Sequence, residues 1–256
     1  MTDAAARTRP QVGFLFAARP EARINGPVQG SGELGKRGIK LLGLGLVASL
    51  ALVAAPAAAQ ERSPLPERSQ GWKDATNVLT ISTIGVQLLM PRIFFSDPEV
   101  TVGWKARWHA SVLAPSMTLL TTGLLNEQFL KDAFEGKRPG CDDTNQGYSG
   151  CRDFGMLSTH SYLAGSALGQ GLGVFLVDTI KWSDGRLNGG SLAMNVGVPA
   201  ALGIITTVGR TSGNWETGGQ AWGSAGIGFA LGLGLGALYA AAQRPECGYG
   251  GNLICW

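Results

Sequence analysis

Five long uncharged segments constrain the fold of this 256-residue chain more than any other feature. Each is close to the length at which an α-helix crosses a bilayer, about 20 residues. None shows the strict alternation of a half-buried strand, and none has the charged outer face of a soluble helix. They cover residues 75–91, 110–126, 156–177, 189–209 and 217–243. The sequence therefore predicts an all-α bundle of five membrane helices, with a soluble periplasmic protein as the alternative because Gly, Ser, Thr and Ala outweigh Leu.

The start of the chain predicts a secretory signal peptide. Residues 1–40 are basic, the uncharged run LLGLGLVASLALVAAPAAA follows, and Ala57 and Ala59 form a small-residue cleavage site. A retained first membrane helix is the alternative, and it would give a six-helix bundle. The predicted organisation is a leader and signal peptide over 1–59, a polar linker over 60–74, a helical domain over 75–243 and a Cys-containing tail over 244–256.

Net charge excludes one class of partner. The whole chain carries +3, but the leader holds seven Lys or Arg against three Asp or Glu, so its removal leaves a slightly acidic protein. Binding of nucleic acid requires a concentrated basic face. We therefore expect no nucleic-acid partner.

A charged stretch between two uncharged segments carries the candidate chemistry. Lys131 precedes Arg138 by seven residues, and Ser158 and His160 open the next uncharged segment. Arg offers a planar fork of donors that fits two phosphate oxygens, and Lys adds a point charge. The first N–H groups of a helix that begins near Ser158 would also favour an anion, and His160 would donate a proton to a leaving group. The competing interpretation is that Ser158 is only an N-cap and His160 a satisfied polar residue.

A third element lies downstream, where Arg210 ends another uncharged segment. The order of these residues resembles the type-2 phosphatidic acid phosphatase and vanadium haloperoxidase superfamily, whose motifs read K-x6-RP, P-S-G-H and S-R-x5-H-x3-D. Lys131, Arg138 and Pro139 match the first motif completely. The segment 157–160, LSTH, keeps the serine and histidine of the second motif. The resemblance covers about residues 75–243 and implies a helical fold with no cofactor, which binds phosphorylated lipids or small phosphate esters.

The third motif departs from the family. Gly209 stands where the family has serine, Glu216 where it has the nucleophilic histidine, and Gln220 where it has the aspartate that orients that histidine. A glutamate has no nitrogen to hold vanadate, which excludes a haloperoxidase. His109 is a poor substitute, because about 20 residues of helix, some 30 Å, separate it from the motif end of its segment.

Three functions remain open from the sequence. The first is hydrolysis of a lipid or small-molecule phosphate ester, with His160 as proton donor and Glu216 or an activated water as nucleophile. The second is a catalytically inactive protein that binds phosphate or phospholipid through Lys131, Arg138, Ser158 and Arg210. The third is a structural envelope protein.

Helix count places the three motifs on one side of the membrane. If the mature N-terminus is outside, the motifs meet at the periplasmic face of the inner membrane of a bacterial-type cell envelope. The loops predicted at the opposite face hold Arg92, Lys105, Arg107, Lys181 and Arg186. Cations also lie on the outer side, so the charge distribution does not fix the orientation.

Cysteine pairs and small residues complete the expectations. An even number of Cys in an exported protein predicts disulfides Cys141–Cys151 and Cys247–Cys255. Five full spans would place the second pair in the reducing cytoplasm, so that pair is reduced, or the last segment does not cross, or the protein is soluble. Neither pair has the close spacing of zinc ligands, and we expect no metal site. Glycines recur every four residues at 165–173 and 228–236, which predicts close helix packing; Pro115 and Pro199 predict kinks.

Overall fold

The computed structural model describes residues 67–95, 104–131, 136–141, 151 and 157–245. The predicted signal peptide and the predicted Cys247–Cys255 pair lie outside these residues.

The described part of the chain is mostly helical, which confirms the predicted class at its coarse level. Helix α1 spans Gln70–Leu89 and begins inside the predicted linker, because the hydroxyl of Ser69 N-caps it. The other helical segments are α2 Ala110–Leu125, continued by a π-helical turn Asn126–Leu130; α3 Thr159–Trp182, α-helical to Val177; α4 Gly189–Ser212; and α5 Gly218–Ala242.

A two-stranded hairpin between α1 and α2 was missing from the predicted all-helical bundle. Strand β1, Pro91–Phe95, pairs antiparallel with β2, Trp104–Trp108. β-Branched and aromatic residues favour strands, and proline is tolerated at the first strand position. The runs are only five residues long, too short for their pattern to stand out beside the long helical segments.

Three of the five predicted spans are long and apolar enough to cross a membrane: α3, α4 and α5. Helix α2 is shorter, with 16 α-helical residues before its π turn. Helix α1 instead carries polar side chains among its buried residues. Large apolar side chains are nevertheless exposed on several helices, as expected of a surface that contacts lipid. They include Val78, Ile81, Leu124, Ile204 and Leu238.

Helix α3 lies at the centre of the bundle and packs most extensively on α5. A Cβ atom on Gly169 would lie 2.1 Å from the carbonyl oxygen of Phe229, and one on Gly228 would lie 2.1 Å from that of Tyr162. Real Cβ atoms do not approach so closely, so these positions require glycine. The predicted close packing of the two glycine series is confirmed.

Pro199 accounts for an irregularity in α4. A π-helical turn, Leu192–Gly197, immediately precedes the α-helical part in which Pro199 is among the first residues. Proline cannot donate a backbone hydrogen bond and its ring displaces the carbonyl four residues earlier, that of Asn195. This carbonyl approaches α3 so closely that a Cβ on Gly171 would lie 1.7 Å from it.

A buried ion pair closes the end of the bundle where α3 and α5 finish. Arg92, predicted as a loop cation, lies on β1 and is fully buried. Its Nε lies 2.9 Å from Oδ1 and 3.1 Å from Oδ2 of Asp178, which stands in the last turns of α3. The remaining guanidinium nitrogens donate to the hydroxyl of Ser111 and the carbonyl oxygens of Ala240 and Gln243.

His109 belongs to the same end of the bundle. Its Nδ1 accepts a hydrogen bond from the backbone N–H of Ser111, and His109 is thereby the N-cap of α2. Its Nε2 lies 3.0 Å from the carbonyl oxygen of Arg244 and therefore carries the proton. Since α2 runs from His109 toward Lys131, the histidine lies at the far end of α2 from the candidate phosphate site, as the sequence predicts.

Candidate functional site

The opposite end of the bundle gathers the sequence motifs around one imidazole. His160 lies in the first turn of α3, and Lys131, Arg138 and Arg210 all interact electrostatically with its ring. These cations come from three separate segments: the end of α2, the segment 136–141 and the last turn of α4. Of the six residues predicted to bind or turn over phosphate, the other two also lie at this end: Ser158 caps the same helix, and Glu216 pairs with Arg210.

His160 has a partner that the sequence did not reveal. Its Nε2 lies 2.9 Å from Oδ1 of Asn77, which is on α1. A lone asparagine in an apolar helix carries no spacing signal, which is why the sequence gave no indication of it. The proton-donor role predicted for His160 would require this hydrogen bond to break.

Lys131 is held by a carboxylate one turn earlier. Its Nζ lies 2.6 Å from Oε2 of Glu127, and the hydroxyl of Thr159 donates to the same oxygen. Burial acts to raise the pKa of Glu127, but the bonds from Lys131 and Thr159 outweigh it and leave the pKa below its usual range. This clasp ties the end of α2 to the start of α3.

Arg210 is paired with the residue that replaces the family nucleophile. Its Nε and Nη2 lie 2.9 Å and 2.7 Å from one oxygen of Glu216, Oε1. The other oxygen, Oε2, is buried and has no hydrogen-bond partner among the described residues. A carboxylate therefore occupies the position from which an oxyanion ligand would bind this guanidinium.

Ser158 and Gln220 make helix-capping contacts. The hydroxyl of Ser158 accepts from the N–H of Ser161 and N-caps α3, so the capping interpretation of Ser158 is confirmed. Gln220 forms a capping box with Thr217 at the start of α5, and its Nε2 donates to the carbonyl oxygen of Lys137 at 2.8 Å. Gln220 thus anchors the segment that carries Arg138.

The residue before Ser158 has an unusual backbone conformation. Leu157 has φ +50°, a left-handed value that costs a non-glycine residue about 1 kcal/mol or more. Asn126 stabilises it by donating from Nδ2 to the carbonyl oxygen of Leu157 at 2.8 Å. Strained backbone that its surroundings hold in place is frequent at functional sites.

A disulfide fixes the segment that bears Arg138. The predicted bridge Cys141–Cys151 is present, with a Cα–Cα distance of 5.5 Å. The backbone N–H of Cys141 donates to the carbonyl oxygen of Arg138 at 3.0 Å, so a tight turn joins the cation to the bridge. The disulfide and Gln220 together limit how far Arg138 moves.

The departure at Gly209 has a steric reason. A Cβ atom there would lie 2.7 Å from Cε3 of Trp72 and 2.8 Å from Cγ2 of Thr76, both on α1. The serine of the family motif would not fit without moving α1. Gly209 therefore allows α1 and α4 to pack closely, with the side chains of Trp72 and Thr76 against its Cα.

Three cations contact the ring of Trp215, and the sequence did not identify two of them, Arg68 and Lys73. The distances to its ring centroid are 5.4 Å from Cζ of Arg68, 5.0 Å from Nζ of Lys73 and 5.9 Å from Cζ of Arg210. Its Nε1 donates to the carbonyl oxygen of Ser69 at 2.9 Å. The ring is therefore locked between the start of α1 and the end of α4.

No protein-family model, curated protein or solved structure matches this chain. Within the residues that the structure describes, no group of three or more His, Cys, Asp or Glu side chains is arranged to hold a metal ion. Lys131, Arg138, His160 and Arg210 are together called the His160 cluster below.

Proposed function

We propose that this chain is a membrane protein that binds the phosphate group of a phospholipid or small phosphate ester at the His160 cluster, without hydrolysing it. The observation that carries the proposal is that cations from three separate segments act on a single imidazole. Cations gathered at one end of a fold attract anions. A phosphate dianion matches the forked donors of Arg138, and it would compete with Glu127 for Lys131 and with Glu216 for Arg210.

The position of Glu216 supports binding over turnover. The residue stands where the resemblance requires a nucleophile, yet its Oε1 accepts both Nε and Nη2 of Arg210. Glu216 is thus held as the counter-ion of Arg210 through Oε1.

The proposed location is the inner membrane of a bacterial-type cell envelope, with the His160 cluster at the periplasmic face. Three helices of sufficient length and apolarity support membrane association. The Cys141–Cys151 disulfide beside the cluster supports an oxidising compartment on that side.

Phosphate binding and phosphate release in the purified full chain test this proposal. Equilibrium dialysis would measure binding of inorganic phosphate, and a chromogenic phosphate ester and phosphatidic acid would report release. We expect binding without release. Lys131→Gln and Arg138→Gln should each weaken binding by about tenfold or more, the effect of about 1.4 kcal/mol, because each removes a charge-assisted contact.

Lys181→Gln is the matched control, because Lys181 is a cation at the other end of the bundle, where it donates to the carbonyl oxygen of Ala241. Its binding should equal that of the unmodified chain. Phosphate release that is lost in Arg138→Ala and His160→Ala would replace the proposal with a hydrolase. Absence of both binding and release would leave a structural role.

A further inference from the structure

Positive charge at this end of the bundle extends beyond the His160 cluster. Arg68 and Lys73 lie at the start of α1, are half-buried, and both face the indole of Trp215. The Lys73 ammonium makes no hydrogen bond with the described residues, and the Arg68 guanidinium bonds only to sulfur, with Nη2 lying 3.2 Å from Sγ of Cys141. Both cations therefore keep donors available for a ligand.

Neither cation has a carboxylate partner in the described part of the chain. Of the two acids nearest in sequence, Asp74 accepts from Gln70 at 2.9 Å, and Glu67 is exposed. Two neighbouring ion pairs at this end, those of Lys131 and Arg210, show that the fold supplies a carboxylate where charge is to be neutralised internally. Within the residues that the structure describes, Arg68 and Lys73 lack this compensation.

The electrostatic environment of Arg68 is correspondingly unfavourable to its charge. Burial lowers the pKa of the Arg68 guanidinium, and the positive charge of Arg138 lowers it further. Trp215 offsets part of this cost through its ring face, as a cation–π contact does. An anion between these cations would offset more, because it would interact with both charges directly.

We propose that Arg68 and Lys73, held against Trp215, form a second oxyanion subsite beside the His160 cluster, which takes a phosphoryl group. The source of this group is either the headgroup of an anionic phospholipid or a soluble phosphate. Trp215 and Trp72 lie beside the ends of α4 and α1, and tryptophan at helix ends is typical of the level of phospholipid headgroups. The subsite uses side chains outside the His160 cluster, so it does not depend on the proposed function.

Two arms of one experiment distinguish the sources. In neutral detergent, equilibrium dialysis would count the inorganic phosphate bound per full chain. In lipid nanodiscs of phosphatidylcholine with added phosphatidylglycerol, mass spectrometry would count the phosphatidylglycerol retained after extraction into detergent. The double variant Arg68→Gln/Lys73→Gln should lose about tenfold or more in affinity for the second oxyanion in at least one arm.

The control has cation–aromatic contacts of the same kind at the other end of the bundle. Lys181 lies 4.6 Å from the ring centroid of Trp182, and Arg186 lies 5.3 Å from that of Phe95. The variant Lys181→Gln/Arg186→Gln should bind like the unmodified chain in both arms. If the Arg68 variant does not fold, the single variant Lys73→Gln decides, because the Lys73 ammonium makes no hydrogen bond within the described residues.

Loss in the dialysis arm alone identifies a phosphate subsite, and loss in the nanodisc arm identifies a phospholipid subsite; both support the inference. Unchanged binding in both arms overturns it. The variant Lys131→Gln tests the His160 cluster separately from the second subsite. Binding lost in Lys131→Gln but intact in Arg68→Gln/Lys73→Gln would leave only the His160 cluster, and the reverse pattern would leave only the second subsite.

Discussion

Two buried Arg–carboxylate pairs lie at opposite ends of this bundle, and they differ in how completely they are satisfied. In the Arg92–Asp178 pair every guanidinium nitrogen donates, and both carboxylate oxygens accept. In the Arg210–Glu216 pair one carboxylate oxygen takes both donors, and the other is buried without a partner among the described residues. Side-chain exposure is similar, at most 6% for any of the four residues.

Since burial is the same, the difference lies in unused hydrogen-bonding capacity. A buried polar group without a partner costs about 1–3 kcal/mol, so a fold keeps one only where something compensates for it. The Arg92–Asp178 pair itself has no such capacity left, because each guanidinium nitrogen donates and both carboxylate oxygens accept. The Arg210–Glu216 pair retains it, at the end of the bundle where Lys131, Arg138 and Arg210 interact electrostatically with His160.

The largest effect is expected from breaking the satisfied pair. Arg92→Met removes the cation and leaves Asp178 buried and unpaired, which should lower the free energy of unfolding by about 3–5 kcal/mol. Thermal unfolding of the full chain in detergent would measure the loss. The double variant Arg92→Met/Asp178→Leu should recover most of it, because no charge then remains buried.

Phosphate binding by the folded fraction of Arg92→Met should be unchanged. Weaker phosphate binding in Arg92→Met would mean that the Arg92–Asp178 pair and the His160 cluster are coupled.

A smaller effect at the same end depends on pH. Burial and the charge of Arg92 lower the pKa of His109 from 6.5 to about 4. The unfolded chain therefore takes up a proton first, so stability is complete above about pH 6.5 and is lost as the pH falls toward 4. The loss should be on the order of 3 kcal/mol.

Unfolding temperatures at pH 7.5, 5.5 and 4 would show this loss, and His109→Asn should show much less of it. Asparagine keeps an N-capping oxygen for α2 but has no proton to gain. An equal pH dependence in the variant would assign the effect to other groups.

The sequence predicts the helices better than the hairpin. Long uncharged runs are produced by burial or lipid contact along a whole helix, so their ends lie close to the observed ends of α2 to α5. The two strands are short, and WKARW mixes charges with aromatics. Arg92 was predicted in a loop because a charge at the end of an uncharged run is normally exposed; its burial depends on Asp178, which is distant in sequence.

The sequence predicts the cations of the candidate site better than it predicts their partners. The resemblance to the three family motifs identifies Lys131, Arg138 and Arg210 as candidates. The partners Asn77 and Glu127 lie on helices that come into contact only in the folded bundle, so no local pattern reveals them. The pairing of Arg210 with Glu216 is local, yet the sequence left open whether Glu216 is a nucleophile or is only ion-paired with the neighbouring cations.

The smallest expected effect concerns Glu216 as the counter-ion of Arg210. Here the substitution should raise the affinity for phosphate instead of lowering stability. Glu216→Gln keeps the shape and one acceptor oxygen but removes the negative charge that competes with a ligand for Arg210. Affinity for inorganic phosphate should rise about tenfold, which corresponds to about 1.4 kcal/mol. The same substitution at the satisfied pair, Asp178→Asn, should lower stability and leave phosphate affinity unchanged.

Because added phosphate would replace the missing charge, it should also raise the unfolding temperature more in Glu216→Gln than in the unmodified chain. Equal or weaker phosphate binding in Glu216→Gln would show that the free oxygen of Glu216 does not mark a ligand position, and the two ion pairs would then differ only in geometry.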